Sequence, residues 1–338
     1  MGKNLMNSEN LAVEEYKKHG AFRLLVTAPV HFLPAIKEEI IKESDCVFAY
    51  GATKREVIEL INNVDAWMCS PCPTYQIDRD VLSCANKLRV IGTPSTGSDH
   101  IDKFYCQRHE ITVTSLKDTD FVNTIYASSE YTFSLLLAVV RKIPYAFESA
   151  KQGCWRETED QFRGIELNGK ILGIIGYGRI GSNVSRYANA MGMKVVAYDP
   201  YKRIIDTHVR QLNVDDVLLN ADIILVCVHL DETTRKMVNY EWFKKMKDGV
   251  YFVNTSRGEI IDESALLQNL QSGKIRAAGL DVISQEFTSD KKSHPVIRYA
   301  REHDNLIVTP HIAGSSYESE YKAAQYTFES IKGILFSH

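Results

Sequence analysis

At 338 residues, with 44% hydrophobic and 25% charged side chains, the chain is long enough for two ordinary domains and too hydrophobic to be disordered. A formal net charge of −3 and the lack of any lysine or arginine run argue against a nucleic-acid partner. The longest apolar run, 135–140, is too short to span a bilayer, and the polar, acidic N-terminal stretch holds no signal segment, so an unprocessed cytoplasmic protein off the membrane is expected.

In chain order, strand-like runs at 22–26, 46–49, 66–69, 88–91 and 111–114 alternate with segments of helical character, which predicts a parallel sheet covered on both faces. The segment 128–142 (SSEYTFSLLLAVVRK) predicts a helix bridging two domains, with Glu130 in its first turn and Arg141-Lys142 before Pro144. Strands resume at 171–175, 195–198, 223–228, 250–253, 277–282 and 306–308. The tail, 316–335, is helical in pattern and packs most economically on the first domain. The expected fold is α/β, with two doubly wound parallel-sheet domains: a Rossmann dinucleotide-binding domain (118–315) inserted into a flavodoxin-like substrate domain (1–117 plus 316–338).

Residues 170–200 hold every part of a dinucleotide-binding βαβ turn. After the strand, Gly176, Gly178 and Gly181 make the tight turn, admit a pyrophosphate and let helix approach strand. Tyr177, Arg179 and Ile180 lie between them, and Ile180, Val184, Ala188 and Met191 recur at helical spacing, so the amides of that helix's first turn face the phosphates. Asp199 ends the next strand, eighteen residues after Gly181, where a carboxylate binds ribose hydroxyls and repels a 2′-phosphate. NAD(H) is the expected cofactor, in preference to NADP(H).

Ligands of open α/β sheets bind beyond the carboxyl ends of the strands. Three such ends, each unremarkable alone, supply Arg257, Glu286 and His311. A dehydrogenase needs a group that exchanges the hydroxyl proton near neutral pH, and His311 suits. Glu286 is a carboxylate that would favour its charged form. Arg257 offers a two-pronged fork for a substrate carboxylate, which selects 2-oxo or 2-hydroxy acids held in an interdomain cleft.

Gly-Arg-Ile-Gly (178–181), Asn-Thr-Ser-Arg-Gly-Glu-Ile-Ile-Asp (254–262) and Thr-Pro-His-Ile-Ala-Gly (309–314), in this order, resemble the D-isomer-specific 2-hydroxyacid dehydrogenase family, in its phosphoglycerate dehydrogenase-like branch without a regulatory domain. The resemblance covers essentially the whole chain, including Ser129-Glu130, the run 279–282 and the run 97–102. It implies that Arg257, Glu286 and His311 are the catalytic trio, that Asp281 holds the nicotinamide carboxamide, and that Ser95, Thr96 and Gly97 bind the substrate carboxylate. It further implies cofactor contacts from Val228, His229, Thr255, Ser256 and Gly314, and a homodimer through the NAD-binding domain.

The chain departs from the family's pattern at several positions. Ser95 and His100 replace a glycine and an asparagine in the substrate loop, and Ser70-Pro71 stands where phosphoglycerate-type members carry an Arg-Ser pair. That change removes a cation a phosphorylated substrate would want. At this length no appended regulatory domain is expected. Cys227-Val228-His229 replaces His-x-Pro, and Phe287 replaces a proline after Glu286. His31, Ser70, Ser95 and Thr96 are the positions expected to set the substrate's R group.

No metal is expected. The C-x-x-C spacing of Cys69 and Cys72 has no second pair to complete a ligand set, and seven cysteines, an odd number, fit a reducing compartment. Rival readings are a non-catalytic NAD(H)-sensing protein of the corepressor type, a formate dehydrogenase-like enzyme, against which Glu286 argues because those enzymes carry glutamine there, and chemistry of the S-adenosylhomocysteine hydrolase kind, which needs a larger substrate domain.

Overall fold

The computed structural model describes residues 13–17, 20–286 and 290–337. Phe287 and the first twelve residues, on which two of the expectations above fall, lie outside these. Contacts divide the described residues into two compact units, one of those within 13–125 and 316–337, the other of 126–286 and 290–315.

The first unit holds six strands: β1 (Glu14–Tyr16), β2 (Arg23–Val26), β3 (Asp45–Phe48), β4 (Ala66–Met68), β5 (Val90–Gly92) and β6 (Thr112–Thr114). Their order is β1-β3-β2-β4-β5-β6, all parallel except β1, which runs antiparallel on β3 with Glu14 opposite Phe48. Strand β1 has no counterpart in the expected elements. Its two adjacent glutamates read as a polar segment, and they suit an edge strand: Glu15 accepts from Arg23 and Glu14 from Lys37. The tail helix, Tyr317–Phe336, is capped by the Ser316 hydroxyl and buries Ala324, Phe328, Ile331 and Leu335 in one cluster with Leu24, Val26, Ile36, Met68 and Val90. That apolar face is what returns the end of the chain to its first sheet.

The second unit holds β7 (Ile171–Ile175), β8 (Lys194–Tyr198), β9 (Val209–Gln211), β10 (Ile223–Val226), β11 (Val250–Asn254), β12 (Ile275–Leu280) and β13 (Leu306–Val308), in the order β13-β12-β11-β10-β7-β8-β9 and all parallel. Strand order reverses beside β7, the switch point at which such sheets bind ligands. Helices on both faces explain the unbroken apolar run of β10, whose four residues are all fully buried. Ala127–Val140 is a helix that buries Leu135, Leu136, Val139 and Val140 against Leu172, Ile174 and Val253 of this same unit.

Several boundaries differ from expectation. Residues 118–125 group with the first unit, because Ile125 packs with Leu116 and Ala323. Pro144 does not end a helical region; it occupies the second position of a new helix, Ile143–Lys151, entered through Lys142 at a φ of 52°. Strand β12 starts at Ile275 and stops at Leu280, which releases Asp281 into the following loop.

Candidate active site

The fingerprint turn follows β7. Gly176 has a φ of 91°, and a Cβ there would stand 2.5 Å from the Cys227 carbonyl oxygen. A Cβ on Gly181 would meet the Gly176 oxygen at 2.4 Å, whereas one on Gly178 would meet nothing within 4 Å. Two glycines thus serve packing, and the middle one borders open space before the helix Arg179–Ala190. A turn with this steric division fits a pyrophosphate laid against the helix N-terminus. Asp199, at the end of β8, fastens it: one carboxylate oxygen accepts the Tyr177 N–H at 2.8 Å and the other accepts those of Tyr201 and Lys202 at 2.9 and 3.1 Å.

Beneath the turn lies a polar network that motif spacing does not reveal. The buried Tyr177 hydroxyl donates to Asp206 at 2.8 Å and lies 2.8 Å from the Ser185 hydroxyl, which is 3.1 Å from His208 Nε2. Burial pushes the Tyr177 phenol up to about 12, so it acts as a neutral donor.

Past β11, the fully buried Asn254 side chain accepts from the Ser256 N–H at 3.0 Å and donates to the Arg257 carbonyl at 2.9 Å, setting the arginine's backbone. The Ser256 hydroxyl donates to Val226 O at 2.8 Å, and the Thr255 and Thr132 hydroxyls meet at 2.7 Å. The half-buried Arg257 donates from Nη1 to Ser256 O at 2.8 Å. Val228 is partly buried, whereas His229 and Gly314 are exposed, and the His229 carbonyl accepts the Thr234 hydroxyl at 2.7 Å.

Past β13, His311 Nδ1 lies 2.7 Å from Glu286 Oε2, each side chain about one-quarter exposed, at 26% and 25%. His311 has a φ of 55° and Gln285, just before Glu286, one of 56°. Left-handed backbone at non-glycine residues on both sides of a pair is held only where surroundings over-determine it. Asp281 supplies part of that hold: 1% exposed, it accepts the Thr309 hydroxyl at 2.6 Å, the Ile312 N–H at 3.0 Å and the Ala313 N–H at 2.8 Å, while its carbonyl accepts the His311 N–H at 2.8 Å. Both its oxygens therefore anchor the histidine segment, a duty beyond the carboxamide contact the resemblance implies. Burial raises its carboxyl pKa despite those three bonds.

The arginine and glutamate loops also touch. A Cβ on Gly258 would fall 1.9 Å from Ile283 C and 2.2 Å from Ser284 N, so only glycine lets these backbones cross. The fold thus gathers Glu286 and His311 into contact and brings the Arg257 loop against that of Glu286. Glu259, Glu263 and Ser284, which bind these loops together, went unread in the sequence. The one signal available was Asp262-Glu263 as the helix start after Gly258.

The remaining expected positions belong to the first unit. Ser95, past β5, has its hydroxyl 2.9 Å from that of Thr93 and donates to Gly97 O at 2.6 Å. Thr96 and Gly97 are partly exposed. Ser70, past β4, donates its N–H to the Thr27 hydroxyl at 3.1 Å. Cys69 is buried, 3.7 Å from His100 Nε2, with its thiol pushed up to about 12 by burial, which makes it a structural thiol rather than a reactive one. None of the described cysteines is in a disulfide, and no group of three or more His, Cys, Asp or Glu side chains among the described residues is arranged to hold a metal ion. No helix among the described residues is long and apolar enough to cross a membrane.

A doubly wound unit with this turn at its switch point defines a dinucleotide-binding protein of the two-sheet α/β type. Residues 133–313 match the model of the D-isomer specific 2-hydroxyacid dehydrogenase, NAD binding domain. Over 318 residues the chain is 37% identical to a D-3-phosphoglycerate dehydrogenase of Methanocaldococcus jannaschii, covering 93% of this chain but only 57% of that relative. It is 36% identical to a hydroxypyruvate reductase of Thermotoga maritima, covering 82% of this chain and 87% of that one. A crystal structure of D-lactate dehydrogenase from Aquifex aeolicus, complexed with NAD and lactic acid, superposes with a TM-score of 0.79 at 29% identity, over 93% of this chain and 95% of that one. The chain belongs to the D-isomer-specific 2-hydroxyacid dehydrogenase family and carries its NAD-binding domain.

Proposed function

We propose that the protein catalyses reversible hydride transfer between NAD(H) and a small D-2-hydroxy acid or its 2-oxo acid. The observation that carries this reading is the 2.7 Å contact of His311 with Glu286, in the same unit as the glycine turn. Bound NADH supplies the hydride. Arg257 pairs with the substrate carboxylate and polarises the adjacent carbonyl. Glu286 holds Nδ1 of His311 and favours the imidazolium, and Nε2 gives the proton to the carbonyl oxygen, or takes it back in oxidation. Asp199 supports NAD(H) over NADP(H), since a 2′-phosphate would meet its carboxylate. Ser95, Thr96, Gly97 and Ser70 are the proposed contributors from the first unit.

Ser70-Pro71 offers a phosphate no cation, which favours an unphosphorylated acid. Exposed Ile143, Phe147 and Trp155 in the second unit support a homodimer, and seven cysteines without a disulfide support a cytoplasmic setting. The test is NADH oxidation with glyoxylate, hydroxypyruvate, pyruvate and 3-phosphohydroxypyruvate. The expected outcome is turnover of one or more of the first three, faster than of the phosphorylated acid. Tight NADH binding with no turnover on any of them would instead support a sensor.

A further inference from the structure

The loop that carries Glu286 has three consecutive N–H groups held by three different carboxylates. Ile283 N–H donates to Glu286 Oε1 at 3.0 Å, Ser284 N–H to Glu263 Oε1 at 2.7 Å, and Gln285 N–H to Glu259 Oε1 at 3.2 Å. Glu263 grips hardest, because its second oxygen accepts the Ser284 hydroxyl at 2.6 Å. It also meets His294 Nε2 at 3.5 Å, with side-chain exposures of only 14% and 8%. His294 Nδ1 accepts the Val296 N–H at 3.3 Å, which turns Nε2 toward Glu263.

A short loop containing a left-handed Gln285 and no strand partners cannot hold itself in place. Glu263 opens the helix Glu263–Gln271, whose start is set by the Asp262 cap, and the same run of chain bears Arg257 six residues earlier. Side chains on a capped helix are positioned more accurately than those on free loops. We infer that Glu263 is a positioning residue for the Glu286–His311 pair. By gripping Ser284 it fixes where the Glu286 carboxylate stands, hence how the His311 ring is turned, and it ties both to the arginine's segment. The inference rests on the reading of His311 as the acid–base group.

The test compares full-length wild type, Glu263→Ala, Glu263→Gln and Ser284→Ala, by kinetics and by NMR of histidine-labelled protein. A misplacement of about 1 Å can cost roughly 10²-fold, so Glu263→Ala should lower kcat about ten- to a hundredfold, with NADH Kd and the oxo-acid KM within about threefold of wild type. Glu263→Gln, whose amide oxygen still accepts the Ser284 N–H, should recover most of kcat, and Ser284→Ala should fall between. The His311 Nδ1–H resonance, assigned by its loss in His311→Ala, should vanish by exchange in Glu263→Ala and persist in Glu263→Gln. An unchanged kcat and resonance in Glu263→Ala overturn the inference, as does an equal loss of kcat, NADH affinity and Tm in both Glu263 variants. Should Glu263→Ala not fold, Ser284→Ala against Glu263→Gln decides on the same readouts. A wild type that turns over no oxo acid defeats the proposed reaction alone, since the resonance still judges the positioning.

Discussion

Two strand-end regions of the second unit are built on opposite principles. The fingerprint turn is a continuous stretch of chain shaped by glycine sterics and backbone amides, with Asp199 reaching back only from the next strand. The Arg257–Glu286–His311 region comes from three separated segments and stands on side-chain hydrogen bonds between them, His311 to Glu286, Glu263 to Ser284, Glu259 to Gln285 and Asp281 to Ile312. Away from Gly176 and Gly181, where a Cβ would clash, main-chain construction tolerates side-chain change, whereas side-chain construction does not. Single substitutions outside those two glycines should therefore cost far more in the second region than in the first.

The sharpest way to break this contrast is His311→Ala. Loss of an acid–base group costs about 10² to 10⁴ in kcat, with NADH binding nearly intact by fluorescence titration, because the turn proposed to hold the cofactor is untouched. Wild-type-like turnover in this variant would falsify the assignment. Arg257→Lys keeps the charge but loses the fork, and should raise KM for the oxo acid by about tenfold or more while lowering kcat. An unchanged KM would remove Arg257 from carboxylate binding.

In the fingerprint region, Asp199→Ala removes hydrogen bonds worth about 1.5 to 3 kcal/mol to a charged acceptor, so NADH should weaken roughly tenfold and discrimination against NADPH should relax, with kcat at saturation little changed. If the wild type already prefers NADPH, Asp199 does not select the cofactor.

The smallest effect concerns stability. Burial raises the Asp281 carboxyl pKa in the folded state, so the folded protein binds this proton more tightly than the unfolded one. Its contribution is fully present below the unfolded carboxylate value of about 3.9 and is lost as pH rises through the folded value. Relative to Asp281→Asn, wild-type Tm should thus fall as pH climbs through that acid window. A parallel pH dependence of Tm in the two proteins would show that Asp281 does not titrate this way.

Where neighbours in sequence are neighbours in space, the chain could be read directly. The glycine spacing, the terminal Asp199, the alternation of strands and helices and the apolar face of the tail helix are all local patterns of period or spacing. The edge strands β1 and β9 escaped such reading because their short polar runs pair with partners that no local pattern names. Arg257, Glu286 and His311 could be nominated by residue type and by likeness to a family, and the pairing of Glu286 with His311 by the needs of acid–base chemistry, but not the loop contacts that hold that pair. That the Gly258 backbone crosses Ile283, that Glu259 and Glu263 take N–H groups of the Glu286 loop, and that Asp281 is an anchor for His311 are decided only when distant strands lie side by side. Local sequence determined which groups stand at the ends of which strands; tertiary packing decided which of them meet, because hydrogen bonds between separated segments depend on ångström-scale placement that no spacing along the chain encodes.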